Sequence, residues 1–343
     1  MCDTLGAPEI YENSDYSSNG KRTALRDQIN AEISKYTKKR STAHWVGAFA
    51  EAGVPCGPIL DMGEVFKDPQ VKTLDMSPSV NHPRLGTLNV VGQAVKLERT
   101  PQRMHSATPD LGQHTLEILN EIGKYDTPTM CNALEAVMGS RTAVGFTKKQ
   151  VIAADPRLPS IVGFASTAKI RAASPPIISP EKVQENRLAY YDYVAAADKP
   201  SIIVIEDTDY PNCTGAFWGE LNVAIHKGLK INGTLTNGLV RDLGMLDEGY
   251  QVLAGGIGPS HAFVHVINLN QTVNIFGLEI KPGDLVHADI HGAMVVDKKY
   301  LDAMPEALRH VTAKEEPILK AARKADFNIE KLKKAWAEAQ KIQ

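Results

Sequence analysis

The sequence predicts a mixed α/β protein built from two parts. Its 343 residues exceed the usual size of one domain, which is about 100–200 residues. Short helices between Pro/Gly turns fill the first third, whereas buried-type strands alternate with amphipathic helices after Gly123. Hydrophobic residues make up 43% and charged residues 23% of the chain. This composition is typical of a globular protein rather than of a disordered chain or a coiled coil.

Charge balance and cysteine spacing exclude several functional classes. The chain has 38 basic and 40 acidic residues and a net charge of −2, which argues against a nucleic-acid partner. The cysteines form no CxxC pair, which argues against a zinc ribbon or a disulfide framework. No run of 18 apolar residues is present, so we expect no membrane contact. Because the N-terminus is acidic and unlike a secretory signal, we expect a cytoplasmic protein.

Local patterns predict the elements of the first third. Leu25, Ile29 and Ile33 recur at helical spacing and predict a helix over Arg22–Tyr36. We further expect a helix capped by Ser41 or Thr42 that ends at Gly53, a capping box of Asp61 and Glu64, a strand over Leu88–Leu97 and a helix over Leu111–Ile122.

After Gly123 the predicted elements become longer. Thr127 as the cap, Pro128 at the first helical position and Gly139 at the end bound one helix. The others are helices from Ser179-Pro180 to about Ala196, over Trp218–Leu229 and beyond Leu301, and strands at Ile161–Ala172, Ser201–Ile205, Gly233–Thr236, Gln251–Leu253, Ala262–Leu269, Thr272–Ile280, Asp284–Ala288 and Ala293–Val296.

Four motifs in the first part share an order with one family. They are AGVPCGPI at Ala52–Ile59, DPQV at Asp68–Val71, HPRLG at His82–Gly86 and PDLGQHTLEIL at Pro109–Leu119. Together they resemble the C-terminal end of class III CoA-transferases of the CaiB/BaiF type, over residues 1–120. In that family the catalytic Asp lies upstream of this region. The resemblance therefore implies a packing segment without the transferase nucleophile.

The residues that can carry chemistry lie in Thr214–Leu243. Gly219 opens a helix and permits close backbone approach. The free N–H groups of Leu221, Asn222 and Val223 are expected to face an anion, since the positive end of the helix dipole favours negative charge. The sequence therefore predicts an anion site at this helix start.

An Arg-Asp pair follows farther along the same segment. Arg241 offers a planar fork for a carboxylate, and Asp242 offers hard oxygens for Mg²⁺ or Mn²⁺. Glu220 precedes Asp242 by 22 residues, so the two meet only if the strand ending at Asn237 returns beside the helix start. Because adjacent strand residues point to opposite faces, we expect no ion pair between Arg241 and Asp242.

Further segments extend this pattern into a second resemblance. They are YDTPTMCNAL at Tyr125–Leu134, LAGGIGPSHAFVHV at Leu253–Val266 and VNIFGLEIKPGDLVHADIHGAMVV at Val273–Val296. With the Gly-Glu and Arg-Asp motifs, residues 121–343 resemble the RraA-like family, which includes the 4-hydroxy-4-methyl-2-oxoglutarate aldolases. The resemblance implies a swivelling-type αββα sandwich that assembles as a homotrimer or homohexamer.

The same resemblance implies roles for individual residues. Asp242 would ligate Mg²⁺ or Mn²⁺, Arg241 would hold the substrate's carboxylate and keto oxygen, and Glu220 would contact metal-bound water. An acidic residue near the C-terminus of an adjacent subunit would also reach the metal waters. Glu315 and Glu316 are the candidates for it, and we favour Glu315.

This chain also departs from the aldolases. The stretch between Ser174 and Ala196 is longer, and histidines stand at His226, His261, His265, His287 and His291 where the aldolases have other residues. Of these, His261 and His291 are candidates to line the site or to donate protons, with a satisfied core or rim histidine as the favoured alternative for each. The departures bear on the substrate more than on the metal chemistry.

The function expected is a metal-dependent lyase acting on a small anionic 2-oxo acid. Retro-aldol cleavage of a 4-hydroxy-2-oxo acid and decarboxylation of oxaloacetate share a pyruvate enolate, so one site can serve both. Two alternatives remain open at this point. One is a protein-binding regulator of the ribonuclease-inhibitor type, and the other is an accessory subunit in CoA-ester metabolism.

Overall fold

The computed structural model describes residues 1–101, 103–104 and 106–342. The chain forms two compact units, Met1–Pro109 and Asp110–Gln343. All four cysteines, Cys2, Cys56, Cys131 and Cys213, are free thiols. Among the described residues, no helix combines the length and the hydropathy that crossing a bilayer requires.

The first unit is mostly helical. Its small core contains Leu5, Ala7, Ile10 and Tyr16. Its elements are helices α1 Cys2–Leu5, α2 Pro8–Glu12, α3 Asn19–Ala24, α4 Arg26–Thr37, α5 Thr42–Glu51, α6 Met62–Val65 and α7 Pro69–Thr73, a 3₁₀ turn at Ser14–Tyr16, and strands β1 Ser79–His82 and β2 Gly86–Asn89.

Caps were predicted better than strands in this unit. Ser41 caps α5, and Asp61 and Glu64 form the expected capping box. The helix predicted over Arg22–Tyr36 is broken at Leu25 into α3 and α4. The strand predicted over Leu88–Leu97 is wrong, because β2 ends at Asn89. Its partner strand begins after Pro78, which has no N–H with which to extend the ladder.

The second unit carries the α/β part of the chain. Its helices are α8 Thr115–Ile122, α9 Thr127–Met138, α10 Pro180–Ala195, α11 Glu220–Gly228, α12 Met304–Ala322 and α13 Ile329–Ala339, with a 3₁₀ segment at Lys298–Ala303. Its strands are β3 Ile152–Ala153, β4 Ile161–Arg171, β5 Ser201–Asp207, β6 Ala216–Trp218, β7 Gly233–Thr236, β8 Leu239–Val240, β9 Gln251–Ala254, β10 Gly256–Ile257, β11 His265–Leu269, β12 Val273–Ile275, β13 Leu278–Ile280, β14 Leu285–Asp289 and β15 Gly292–Val296.

A curled eight-stranded sheet organises this unit. Its order is β15-β14-β4-β5-β7-β9-β3, with β11 also paired to β4. The strands β4, β5, β7 and β9 run parallel to one another. Strand β5 is almost continuously buried, as expected for a parallel strand covered on both faces.

Helices cover the sheet in two layers. Helices α8, α9 and α12 pack with β14 and β15 around Ile122, Met130 and Leu308. On another side α10 and α11 pack around Tyr190, Trp218 and Val223. A third core lies among the strands themselves. The unit is therefore an αββα sandwich of the swivelling type, as the sequence predicts.

Two strand predictions differ from the structure in detail. The segment Thr272–Ile280 is a hairpin, not one strand, because Phe276 and Gly277 both have positive φ, 52° and 85°. Such a two-residue turn reverses the chain and pairs Ile275 with Leu278. The strand predicted from Ala262 begins at His265, after Ala262 itself adopts a φ of 43°.

Candidate functional site

A small parallel sheet brings the two chemical motifs together. Strand β6 pairs with β8, with Ala216 beside Leu239 and Trp218 beside Val240. The residues that follow these strands therefore lie next to each other. The Arg241 N–H donates to the Trp218 carbonyl at 2.9 Å, and the Glu220 N–H donates to Asp242 Oδ2 at 3.2 Å. The chain thus returns beside the helix start, as the predicted site requires.

Gly219 is the position of closest approach. A Cβ on Gly219 would lie 2.5 Å from Asp242 Oδ2 and 3.1 Å from Arg241 Nε. Its φ of −164° is extended backbone that any residue can adopt. The need for glycine is therefore steric: a side chain here would occupy the space of the Arg-Asp pair.

Arg241 and Asp242 contact each other, contrary to the sequence-based expectation. Arg241 Nε lies 3.5 Å from Asp242 Oδ2, and the two side chains are 34% and 30% exposed. Strand alternation does not apply to them, because β8 ends at Val240 and Asp242 has a φ of 57°. Within the described chain, Asp242 Oδ1 has no hydrogen-bond partner, which leaves this oxygen available to a ligand.

The start of α11 supplies two backbone donors rather than three. The Val223 N–H donates to the Gly219 carbonyl at 3.0 Å. Val223 as an anion-binding donor is therefore wrong, because its N–H closes the first helical turn. No acceptor in the described part of the chain takes the Leu221 or Asn222 N–H. These two groups remain free to bind an anion.

Buried side chains hold the start of α11 in place. The Asn222 side chain accepts a bond from the Tyr191 hydroxyl at 2.7 Å and donates to the Phe217 carbonyl. His226 Nδ1 lies 2.6 Å from the Asn222 carbonyl and must donate to it, so Nε2 accepts from the Tyr190 hydroxyl at 2.6 Å. Asn222 and His226 therefore orient the helix through their side chains and are not free to contact substrate with them.

Burial lowers the pKa of His226 from 6.5 to about 4. The folded state holds this ring neutral, whereas the unfolded chain protonates it below its ordinary pKa. The contribution of this neutral ring to the free energy of unfolding is therefore complete above pH 6.5 and is lost as the pH falls toward 4. At 1.36 kcal/mol per pKa unit, the loss is on the order of 3 kcal/mol.

Replacing His226 with glutamine is expected to weaken the dependence of the free energy of unfolding on pH. Urea unfolding of His226→Gln should give a lower free energy of unfolding at pH 7.5, by about 1–3 kcal/mol, because buried hydrogen bonds are lost. Between pH 6.5 and 4 the decline should be shallower than in the wild type. Some decline should remain, since burial also lowers the pKa of His287. An unchanged slope would contradict this assignment.

A cleft of about 390 Å³ opens beside the motif. Gly219, Leu221, Asn222 and Arg241 line it. The other lining residues come from α10 and the segment before it, from β6, and from the segment that leads into β11: Pro176, Val183, Arg187, Ala216, Phe217, His261, Ala262, Phe263, Val264 and His265. The cleft therefore has the candidate Arg and the free helix N–H groups on its wall.

Two of these lining residues, His261 and Arg187, show what sequence reasoning could find. His261 was one of two histidine candidates, and it lines the cleft. Arg187 was missed, although a signal existed. It shares one helix face with Val183, Tyr190 and Val194, of which Tyr190 and Val194 are fully buried. An arginine on a buried helix face indicates a binding role more strongly than one on a solvated face.

Other predicted residues lie outside the cleft wall. Glu315 is on α12 and lines a separate groove with Arg141 and Lys314. His291 bonds to Asp289, with Nδ1 3.1 Å from Oδ1, and Asp289 also accepts the Thr127 N–H at the start of α9. His291 is therefore not among the residues that line the cleft, contrary to its candidacy. His287 is buried between Thr127 and the Tyr125 carbonyl, which gives it a packing role.

The carboxylate donors at this site fit Mg²⁺ or Mn²⁺ better than Zn²⁺. Among the described residues, no three His, Cys, Asp or Glu side chains converge as a ligand group. Asp242 nevertheless has an oxygen without a partner in the described chain. Glu220 directly follows Gly219, whose lack of a side chain leaves space beside Asp242. Mg²⁺ and Mn²⁺ are often held by one or two carboxylates with water in the remaining positions. Asp242 can hold such an ion, whereas a zinc site with several protein ligands does not fit.

These features define an α/β sandwich with a cleft beside the point where a Gly-Glu helix start meets an Arg-Asp pair. Residues 127–295 match the family model described as Aldolase/RraA, and residues 1–115 match the model for CoA-transferase family III. The second unit therefore contains an RraA-like domain, and the first matches a CoA-transferase family III segment.

Curated relatives match the first part of the chain. Succinyl-CoA:glutarate CoA-transferase of Homo sapiens is 34% identical over 136 residues, covering 40% of this chain and 31% of the relative. Formyl-CoA:oxalate CoA-transferase of Rhodopseudomonas palustris is 30% identical over 122 residues, covering 36% and 28%. The chain thus spans about a third of the length of these relatives.

Solved structures match the sandwich. An uncharacterized protein from Pseudomonas syringae pv. tomato is 21% identical with a TM-score of 0.50, covering 72% of this chain and 100% of that one. RraAS2 of Streptomyces coelicolor, an unusual member of the RNase ES inhibitor RraA protein family, is 20% identical with a TM-score of 0.46, covering 61% and 96%. The first likeness shows a shared fold and carries nothing about activity.

Proposed function

We propose that the second unit is a divalent-metal-dependent lyase that cleaves or decarboxylates a small 2-oxo acid. One observation carries the proposal: Arg241 and the start of α11 line one cleft, and Asp242 contacts both of them beside it, although Asp242 is not itself a lining residue. A protein-binding regulator has no need for this juxtaposition. A solvated ion pair would likewise have no need for the space that Gly219 leaves beside it.

The substrate is proposed to bind through its 2-oxo acid end. Arg241 holds the carboxylate and the keto oxygen, and the Leu221 and Asn222 N–H groups donate to the same carboxylate. When the C3–C4 bond breaks, its electron pair moves to C3 and is delocalised onto the C2 oxygen. Arg241 stabilises the negative charge that develops on this oxygen. The leaving fragment is CO₂ or a carbonyl compound.

Proton transfer is proposed to fall to Glu220. Its exposed carboxylate follows Gly219 directly, and its N–H is bonded to Asp242. In the aldol cleavage Glu220 takes the proton of the 4-hydroxyl group as C4 becomes a carbonyl, and a proton then returns to C3 and gives pyruvate. In the decarboxylation CO₂ leaves from the carboxylate, and only the proton at C3 is needed. A divalent ion held by Asp242 supplies Lewis-acid stabilisation of the developing charge. Assembly as a trimer or hexamer is part of the proposal, with Glu315 of a neighbouring copy contributing a second acidic group.

Metal removal tests the proposed reaction. We expect pyruvate from oxaloacetate and from a 4-hydroxy-2-oxo acid with Mg²⁺ or Mn²⁺, and loss of that activity in excess EDTA with recovery on readdition. Pyruvate formation is followed continuously, and protein-free reactions with the same metal correct for spontaneous decarboxylation of oxaloacetate. Full activity in EDTA would refute metal dependence. No pyruvate from any of these acids, together with binding to a ribonuclease E-type protein, would favour the regulator.

A further inference from the structure

We propose that His261 supplies the proton that C3 receives after bond cleavage, with Nε2 of its imidazole as the donor. The inference deepens the proposed function and rests on it: Glu220 keeps the proton of the 4-hydroxyl group, and His261 delivers the second proton. His261 lines the cleft together with Arg241 and the start of α11. It therefore borders the space in which the substrate is proposed to bind.

The wall of the cleft contains few groups that can exchange a proton. Among its described lining residues, the ionisable side chains are those of Arg187, Arg241, His261 and His265. A guanidinium stays protonated in proteins, whereas an imidazole gains and loses a proton near neutral pH. Glu220 is not one of the lining residues. A proton delivered from this wall therefore comes from one of the two histidines.

The hydrogen bonds of both histidines determine which nitrogen is available. His261 Nδ1 lies 2.7 Å from the Ala262 carbonyl, and His265 Nδ1 lies 2.7 Å from the Phe263 carbonyl. Because a carbonyl only accepts, each Nδ1 must carry a proton. Within the described chain, neither Nε2 has a hydrogen-bond partner. Each Nε2 is therefore free to take a proton from solvent and to deliver it to a ligand.

Backbone contacts hold His261 beside the strand that leads to the start of α11. The Ser260 carbonyl accepts the Ala216 N–H at 2.8 Å, and a Cβ on Gly215 would lie only 2.4 Å from the His261 carbonyl oxygen. The next residue, Ala262, adopts a φ of 43°, and its N–H donates to Ser260 Oγ at 3.0 Å. Such strained backbone persists where surrounding contacts fix it, and it is frequent at functional sites. The imidazole of His261 therefore projects from a fixed backbone.

The positions of the two histidines in the fold favour His261 as the donor. The loop that carries His261 is bonded to β6, and β6 leads directly into Gly219 and the start of α11. His265 begins β11 and pairs with Arg171 of β4, a strand that contributes no described residue to the cleft wall. His261 is exposed, whereas His265 is half-buried. Solvent can therefore reprotonate His261 more readily after each transfer.

The proposed transfer balances for both reactions. Cleavage of the C3–C4 bond leaves an electron pair that C3 shares with the C2 oxygen as an enolate. C3 uses this pair to bond to the Nε2 proton, the C2 carbonyl forms again, and the neutral imidazole of His261 then takes a proton from water. Decarboxylation therefore consumes one proton from solvent. Aldol cleavage consumes none overall, because Glu220 returns the hydroxyl proton to solvent.

Hydrogen exchange at the methyl group of pyruvate tests this step apart from bond cleavage. Pyruvate in D₂O with the full chain and Mg²⁺ should exchange its C3 protons, because the same transfer in reverse forms the enolate. Loss of the methyl signal in proton NMR measures the rate. His261→Gln should lower this rate at least about 100-fold, the lower end of what a general acid–base group contributes. Consumption of oxaloacetate should fall less than about 5-fold, because Arg241 rather than His261 stabilises the charge that develops during cleavage.

Two further variants test the identity of the donor. His261→Ala leaves room for free imidazole, which should restore part of the exchange in proportion to its concentration. His265→Gln removes the other imidazole of the cleft and should keep the exchange rate within about 3-fold of the wild type. Protein-free reactions with Mg²⁺ correct for spontaneous exchange. Equal losses of exchange and of oxaloacetate consumption in His261→Gln would indicate a merely structural role and overturn the proposal. Wild-type exchange in His261→Gln, or a loss confined to His265→Gln, would also overturn it.

Failure of this inference is separable from failure of the proposed lyase. A wild-type chain that releases pyruvate from oxaloacetate but exchanges no methyl protons would keep its proposed function and lose only this assignment. The same holds for an active lyase whose His261→Gln variant exchanges at the wild-type rate. A chain that neither releases pyruvate nor exchanges its methyl protons would lose both.

Discussion

Replacing Asp242 with alanine is expected to lower the rate of pyruvate release from oxaloacetate by at least about 1000-fold. The substitution removes the free Oδ1, which is the proposed metal ligand, and also the acceptor of the Glu220 N–H. The value of kcat/KM with Mn²⁺ measures the loss. Titration of Mn²⁺, followed by its electron paramagnetic resonance signal, measures whether the ion still binds.

Two controls separate charge from shape at this position. Asp242→Asn keeps an oxygen for the Glu220 N–H but loses the negative charge, so it should fold normally and bind Mn²⁺ weakly. Asp247→Ala removes a half-buried carboxylate from the loop that also carries Asp242, where its Oδ2 lies 3.8 Å from Lys227 Nζ, and should leave the rate unchanged. Wild-type Mn²⁺ affinity and rate in Asp242→Ala would contradict the proposed role.

Gly219→Ala is expected to reduce kcat/KM about 100-fold, the effect that a displacement of roughly 1 Å can have on reacting groups. The new methyl group would lie 2.5 Å from Asp242 Oδ2 and 3.0 Å from Arg241 Cγ, so the pair must move. The extended φ of −164° imposes no backbone strain on alanine. Steady-state kinetics should therefore show a large loss of rate, whereas a thermal melt should show only a small change in Tm.

The same helix offers a matched control. A Cβ on Gly228 has nothing within 4 Å, and alanine is favoured over glycine within a helix by about 0.5–1 kcal/mol. Gly228→Ala should therefore raise Tm slightly and keep the wild-type rate. If Gly219→Ala were fully active, the space beside the Arg-Asp pair would have no functional meaning.

Local rules predicted much of the fold because the relevant interactions are local. Ser41 and Asp61 cap helices as expected, since a side chain bonds to an N–H three residues away. Thr127 as the cap of α9 was wrong by one residue, because the Asp126 side chain accepts the Thr129 N–H. The strand Gly233–Thr236 was also predicted correctly. Strands β6, β8 and β10, of two or three residues, were not predicted, because they are too short to show a period.

The site depended on those unpredicted strands. Pairing of β6 with β8 brings Gly219 beside Asp242, and no local pattern specifies that pairing. The expectation that the Arg241 and Asp242 side chains point apart was also wrong. The alternation rule for strands was applied to residues beyond the end of β8, where Asp242 itself has a left-handed φ of 57°.

The sequence alone determined the fold class, the two-part organisation and the residue types able to bind an anion and a metal ion. These follow from periodicity, capping and motif order, which neighbouring residues establish along the chain. Only the tertiary structure decided that Asn222 and His226 brace α11 through Tyr191 and Tyr190, and that Arg187 shares a cleft with Arg241. Those facts depend on contacts between segments far apart in sequence, which chain folding creates and local preference does not encode.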